Sequence, residues 1–172
     1  MRISAAACAQ NKTKTKSKLK KLSNILILIL LSCTSQGQIL TSKTLVKSGL
    51  LCLSGSFDAT AEVLKINYSY FDKVFPGADP QFWNPSESAG NKWKNGDVKQ
   101  GERFLFSSTA LVWTTDGYHL TRMMRNCTMV AGLTISIGDK KPFKQYLIEA
   151  LIYYLSYTAG FNITYNLIFK MP

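Results

Sequence analysis

Six lysines followed by an unbroken apolar run decide how much of this chain is available to fold. Lys12, Lys14, Lys16, Lys18, Lys20 and Lys21 precede Ile25-Leu26-Ile27-Leu28-Ile29-Leu30-Leu31, and the run exits through Ser32-Cys33-Thr34-Ser35-Gln36-Gly37. A basic stretch, a short apolar block and a small-residue exit together make a secretory signal. The run is far below the roughly 18–20 residues of a membrane-spanning helix, which favours export over anchoring. Residues 1–37 are assigned to this signal, with an over-long basic start, and 38–172 to a single helical domain.

Two cleavage sites fit the exit. Ser35 and Gly37 are small residues at the −3 and −1 positions of a general signal-peptidase site, leaving Gln38 as the new amino terminus. Leu30-Leu31-Ser32-Cys33 also resembles a bacterial lipobox, in which Cys33 would be acylated, although Leu31 is bulky for its place in that motif. An uncleaved anchor is the third outcome.

The formal net charge of +11 misleads about partners. Arg2 and the six leader lysines supply seven of the 21 basic residues with no acid among them, leaving 14 basic against 10 acidic residues, or +4. After the leader only Lys92-Trp93-Lys94 interleaves basic and stacking residues, so the electrostatic footprint of a nucleic-acid binder is missing. Cys52 and Cys127, the two cysteines beyond the leader, sit in apolar segments and make no disulfide framework. No CxxC or His/Cys metal spacing occurs, and no cofactor motif is present.

Apolar periodicity predicts helices. Val46, Leu50, Leu53, Phe57, Ala61, Leu64, Tyr68 and Phe71 recur at three- and four-residue spacing, which predicts one amphipathic helix over 42–71 ended by Pro76-Gly77. Residues 76–102 form a long connection rich in Pro, Gly and Asn. Its Phe82, Trp83 and Trp93 are too apolar for a disordered linker and predict an ordered loop packed on the helices or at a membrane interface. A second helical region is expected over 102–137, with Gly117 as a potential break. Gly138 to Pro142 reads as a stop, and a last helix over 143–169 follows. Its Leu147, Leu151, Tyr154, Leu155, Thr158 and Phe161 give a helical stripe, Tyr153, Tyr157 and Tyr165 widen its apolar girth, and Tyr146 to Phe169 is long enough to cross a bilayer. The fold expected is all-α: three or four helices in one bundle, with the aromatic loop between the first and second.

Charges inside such helices must be paired, metal-bound or wet. Asp58 and Glu62 lie four apart on one helical face. Asp116 and His119 lie three apart, followed by Arg122 and Arg125, and Glu149 sits in the most apolar helix. The structural reading pairs Asp58 and Glu62 with Arg122 or Lys65 and gives His119 a carboxylate partner, Asp58 or Glu62 from the first helix. A divalent-metal site would draw on Asp58, Glu62, Asp116, His119 and Glu149, of which Asp116-x-x-His119 is half of a di-metal bundle motif. A catalytic reading makes His119 and Asp116 an acid/base pair, with Arg122 holding an anionic group such as a lipid phosphate. No glycine-rich phosphate loop, nucleophile elbow or serine triad accompanies them.

Phe-Trp-Asn-Pro (82–85), Asn-Lys-Trp-Lys-Asn-Gly-Asp (91–97) and Thr-Thr-Asp-Gly-Tyr-His (114–119) resemble a family of small bacterial exported envelope proteins, over roughly 40–169. The resemblance implies an exported helical protein in which the loop and the Asp116/His119 segment belong together, and it supplies no catalytic residues. The function expected is that of an exported, membrane-associated envelope protein with a structural or interaction role. Its partner would be a membrane or a membrane protein, not nucleic acid, at the periplasmic side or the inner membrane. A small membrane-embedded hydrolase or metal-dependent enzyme acting on lipid or envelope precursors is the alternative.

Overall fold

The computed structural model describes residues 41–171, so the signal segment and Cys33 lie outside the described residues. Those described are all-α, with six α-helices, short 3-10 turns and no strand beyond one isolated bridge from Trp93 to Glu102. Three helices are long: α1 (Ser42–Ile66), α5 (Gly117–Thr134) and α6 (Phe143–Asn162). Three are short: α2 (Tyr68–Val74), α3 (Pro80–Trp83) and α4 (Pro85–Ser88). From Ser42 onward the chain forms one compact unit in which α1 is the hub, packed extensively against both α5 and α6.

The single helix expected over 42–71 is cut at Asn67. Its side chain accepts from the backbone N–H (3.1 Å) and hydroxyl (2.7 Å) of Ser69, capping α2 and competing with continuation of α1. The second helical region begins at Gly117, not at 102. Glu102 draws 104–108 into turns by accepting from the Phe106 N–H (3.0 Å), the Ser108 N–H (3.2 Å) and the Ser108 hydroxyl. Ser107 Oγ donates to the Lys92 carbonyl at 2.7 Å, so the apolar block 104–113 belongs to the loop. Gly117 opens α5 where a break was expected, because Asp116 caps it by accepting the His119 N–H at 2.8 Å. The expected loop is itself partly helical, since Asp79 and Asn84 each cap a short helix that starts with proline. Gly138, at φ +91°, turns the chain between α5 and α6 as expected. The last helix continues from Asn162 through a π-helical turn, Ile163–Ile168.

Small residues bring α1 and α6 into backbone contact. A Cβ on Gly55 would strike the Tyr157 carbonyl, and one on Gly160 would strike the Cys52 carbonyl. Ser56 Oγ donates to the Gly160 carbonyl (3.3 Å), and Ser54 Oγ donates to the Arg125 carbonyl of α5 (2.9 Å). Close approach over glycine and serine is how helices pair when bulk apolar burial does not drive them together.

The inward faces differ from those expected. In the first half of α1 the buried residues are Thr44, Lys47, Leu51, Ser54 and Gly55, while Val46 and Leu53 of the expected stripe are exposed. In α6 the buried residues are Glu149 and Gly160, and Leu147, Leu151 and Tyr154 face outward. The cause is a second stripe at helical spacing. Leu51, Ser54 and Asp58 on α1 meet Gly132 and Arg125 on α5, and Lys47 and Asp58 also reach Glu149, Tyr153 and Tyr157 on α6, where small size and polar pairing outweigh apolar burial. Beyond Ala59 the order is the usual one, with Val63, Leu64, Phe71, Phe169 and Met171 forming the apolar core. Among the described residues no helix is long and apolar enough to cross a membrane. The 146–169 segment falls short because Glu149 and a polar series from Ser156 to Asn162 dilute it.

Candidate functional site

Where α5 begins, the loop closes on the aromatic core. Trp83, at the end of α3, lies against Gly117 so closely that a Cβ there would enter its ring. Trp83 stacks on Phe71 at 5.1 Å, and Phe71 stacks on Phe169 at 6.0 Å. Phe82 meets Trp83 edge-on at 5.3 Å, whereas Trp93 sits half-buried by its bridge to Glu102 and does not join this stack. Asn91 fastens the loop to the helix start by donating to the carbonyls of Gln81 (2.6 Å) and Thr115 (3.0 Å). These contacts leave an apolar cleft of about 660 Å³, bordered by Phe57, Phe71, Phe75, Trp83 and Phe169, with Thr121 of α5 on its wall.

Asp116 and His119 lie at the start of α5, two residues before Thr121 in the case of His119, and neither borders that cleft. The Asp116 carboxylate is buried and accepts from the His119 N–H, from His119 Nδ1 at 2.7 Å and from Thr115 Oγ1 at 3.3 Å. With Nδ1–H donating to the carboxylate, Nε2 is left as the free basic nitrogen on a side chain 34 % exposed. The histidine's carboxylate partner is thus Asp116 of its own helix cap, not Asp58 or Glu62. Arg122, one turn on, lies over the Tyr118 ring at 5.8 Å and has no carboxylate partner among the described residues.

The other charged candidates fall into separate networks. Arg125 Nη1 donates to Asp58 Oδ1 at 2.7 Å and the Tyr157 hydroxyl donates to Oδ2 at 2.6 Å, joining α5, α1 and α6 through one carboxylate. Arg125, not Arg122 or Lys65, is therefore the partner of Asp58. Arg125 also donates from Nη2 to Asn126 Oδ1 at 2.9 Å. Burial, with the hydrogen bond to Asp58, pushes the Tyr157 hydroxyl up to about 12. Glu62 is half-buried, and its carboxylate makes no hydrogen bond or ion pair with another described residue. Among the described residues no three His, Cys, Asp or Glu side chains form a group that could hold a metal ion. Asp58, Asp116 with His119, and Glu149 fall in three separate networks and Glu62 joins none of them, so the weaker divalent-metal reading finds no such group among the described residues.

Glu149 belongs to the third network. Its Oε1 accepts from Lys141 Nζ at 2.6 Å, and its Oε2 accepts from the Tyr153 hydroxyl at 3.1 Å. Lys47, only 2 % exposed, places Nζ 3.5 Å from Oε2, 4.8 Å from the Tyr153 ring centroid and against Ser136 Oγ. Burial acts to raise the Glu149 carboxyl, but the Lys141 and Tyr153 hydrogen bonds and the two ammonium charges outweigh it and hold its pKa down. The same Glu149 hydrogen bond raises Lys141. Lys47 was missed by sequence reasoning because a lysine near a helix start reads as surface. Its place four and seven residues before Leu51 and Ser54 was the available signal.

The chain matches no protein-family model, no curated protein and no solved structure.

Proposed function

We propose that this is an exported envelope protein that works against a membrane, in a structural or interaction role. The carrying observation is the inverted half of the molecule. Lys47, Glu149, Thr44 and Ser54 are buried while Leu45, Leu133, Ile137, Phe143 and Leu147 are exposed. In water apolar side chains this exposed gain nothing, and apolar surface left uncovered supports a reading as a membrane or protein contact. Next to lipid the arrangement is the favourable one, because charges pair inside and apolar side chains meet the hydrocarbon boundary. The leader, the small-residue helix seam and the three long helices read as one bundle agree with that setting. Fractionation of cells expressing the full chain tests it: the protein is expected in the membrane pellet, and a carbonate wash then separates peripheral from integral association. Recovery entirely in the soluble periplasmic fraction would overturn the proposal.

The Asp116–His119 pair favours a second reading, a small hydrolase acting on lipid or envelope precursors. The carboxylate orients the imidazole as a general base, and Arg122 one turn away supplies an anion holder. Purified full chain incubated with phospholipid or lipid-linked precursors should then release product. The His119→Gln protein should not, and no turnover by the folded wild type would remove this reading.

A further inference from the structure

The net charge of the folded domain is concentrated at one end. Lys43, Lys47, Lys140, Lys141 and Lys144, with Asp139 and Glu149, lie where α1 starts, α5 ends and α6 starts. Contacts tie that end together: Lys43 to Asp139 (3.2 Å), Lys141 to Glu149 (2.6 Å) and Lys47 to Ser136. Five of the 14 basic residues beyond the leader but only two of the 10 acids are there, so this end carries +3 and the rest of the domain +1. Both acids are spent on ion pairs with Lys43, Lys47 and Lys141. Lys140 and Lys144 are exposed and have no carboxylate partner among the described residues.

The same end carries the most exposed apolar side chains of the inverted half, Ile137 at 79 % and Phe143 at 76 %, with Leu45 at 60 %. Basic residues interleaved with protruding apolar ones favour the headgroup boundary of an anionic bilayer, where each lysine contributes about 1 kcal/mol. The chain supplies the proximity. The apolar run ends at Leu31 and α1 begins at Ser42, and 11 residues reach at most about 40 Å. With the leader retained or Cys33 acylated, the attached end is this one; with cleavage after Gly37, the surface itself supplies the docking.

We infer that the α1-start, α5-end and α6-start surface docks on an anionic lipid bilayer, with Phe143 and Ile137 in the headgroup–acyl boundary and Lys140 and Lys144 against the phosphates. The inference rests on the membrane-association reading and adds the surface and the lipid class. Its test uses the full chain on phosphatidylglycerol or phosphatidylcholine vesicles, with a photo-crosslinking phenylalanine analogue at position 143 or, as a control, at the exposed Val98. Lipid adducts are expected from position 143 on phosphatidylglycerol, few on phosphatidylcholine, and few from position 98. Lys140→Gln with Lys144→Gln should lower the docked-to-free ratio, read as adduct yield, by up to about 30-fold, the equivalent of two lysines at about 1 kcal/mol each. Vesicles that float with the protein but give no lipid adduct at 143, or a protein–protein adduct there instead, would overturn this surface while leaving membrane association standing. Equal yields on both lipids, or no effect of the two substitutions, would overturn the anionic preference. A protein that does not float with vesicles at all would remove the association reading and this surface together.

Discussion

Helix α1 passes through two regions built on opposite rules. From Ser42 to Asp58 it buries Lys47 and Ser54 and exposes Leu45, Val46 and Leu53. From Ala59 onward it buries Val63 and Leu64 in a cluster with Phe71 and Phe169, although Ile66 at its end is exposed. One region is held by ion pairs and hydrogen bonds across a glycine–serine seam, the other by stacked aromatics. A buried charge network contributes little stability relative to apolar packing, but breaking it is costly. On the membrane-association proposal, the inverted half gains its advantage from what surrounds it, whereas the aromatic half is stable by its own burial.

The largest expected effects separate the two. Glu149→Ala strands the buried Lys47, leaves Lys141 only its 3.8 Å contact with Asp139, and should cost about 3–5 kcal/mol in denaturant unfolding. Phe71→Ala should cost about 3–5 kcal/mol by opening a cavity among Trp83, Phe75 and Phe169. The difference lies in rescue. Lys47→Met added to Glu149→Leu should restore most of the stability, because well-packed apolar residues replace a buried pair at little cost. A double variant as unstable as Glu149→Ala would show that the network is itself the source of stability and would erase the contrast.

Tyr157→Phe removes the hydroxyl that donates to Asp58 and should cost about 1.5–3 kcal/mol, a hydrogen bond to a charged group. The pH dependence has a definite sign. Tyr157 is raised from 10.0 to about 12 on folding, so its contribution is full below pH 10 and is lost as pH rises toward about 12. Glu149 is lowered on folding, so its contribution is full above its unfolded value and is lost as pH falls through the folded one. Thermal melts of Tyr157→Phe should show a shallower decline between pH 10 and 12 than wild type. An unchanged alkaline slope would mean that the hydroxyl does not titrate against Asp58.

His119→Ala should have the smallest effect, about 1 kcal/mol or less. Asp116 keeps the backbone N–H of residue 119 and the Thr115 hydroxyl, so no carboxylate is stranded. A loss above about 3 kcal/mol, as for a stranded buried charge, would contradict that local geometry.

Much of the fold was legible because its signals are local. Apolar periodicity found the long helices, and Gly138 to Pro142 found the turn between α5 and α6. The turns at 104–108 were not legible, since they depend on Glu102 and Ser107 reaching across to Phe106 and Lys92. The faces were misread for a physical reason. Periodicity says which residues share a side, but which side turns inward depends on the surroundings, and a stripe with Lys47 and Asp58 looks like a wet one. At the candidate site, Asp116 and His119 were legible from their spacing of three. The Trp83–Gly117 contact and the cleft beside it were not, since they join residues 34 positions apart through tertiary packing.

The central claim is that the outer face of the inverted half meets an apolar environment. The mass of detergent bound by the full chain, measured by light scattering with refractive index, tests it most directly. Wild type is compared with Leu133→Gln/Leu147→Gln/Leu151→Gln, in which three exposed side chains become polar. The leader contributes equally to both proteins, so the difference reads that face alone. The expected result is an unchanged melting temperature with clearly less bound detergent in the triple variant. Equal bound detergent in two equally stable proteins would contradict the claim and leave the inverted half an ordinary wet surface.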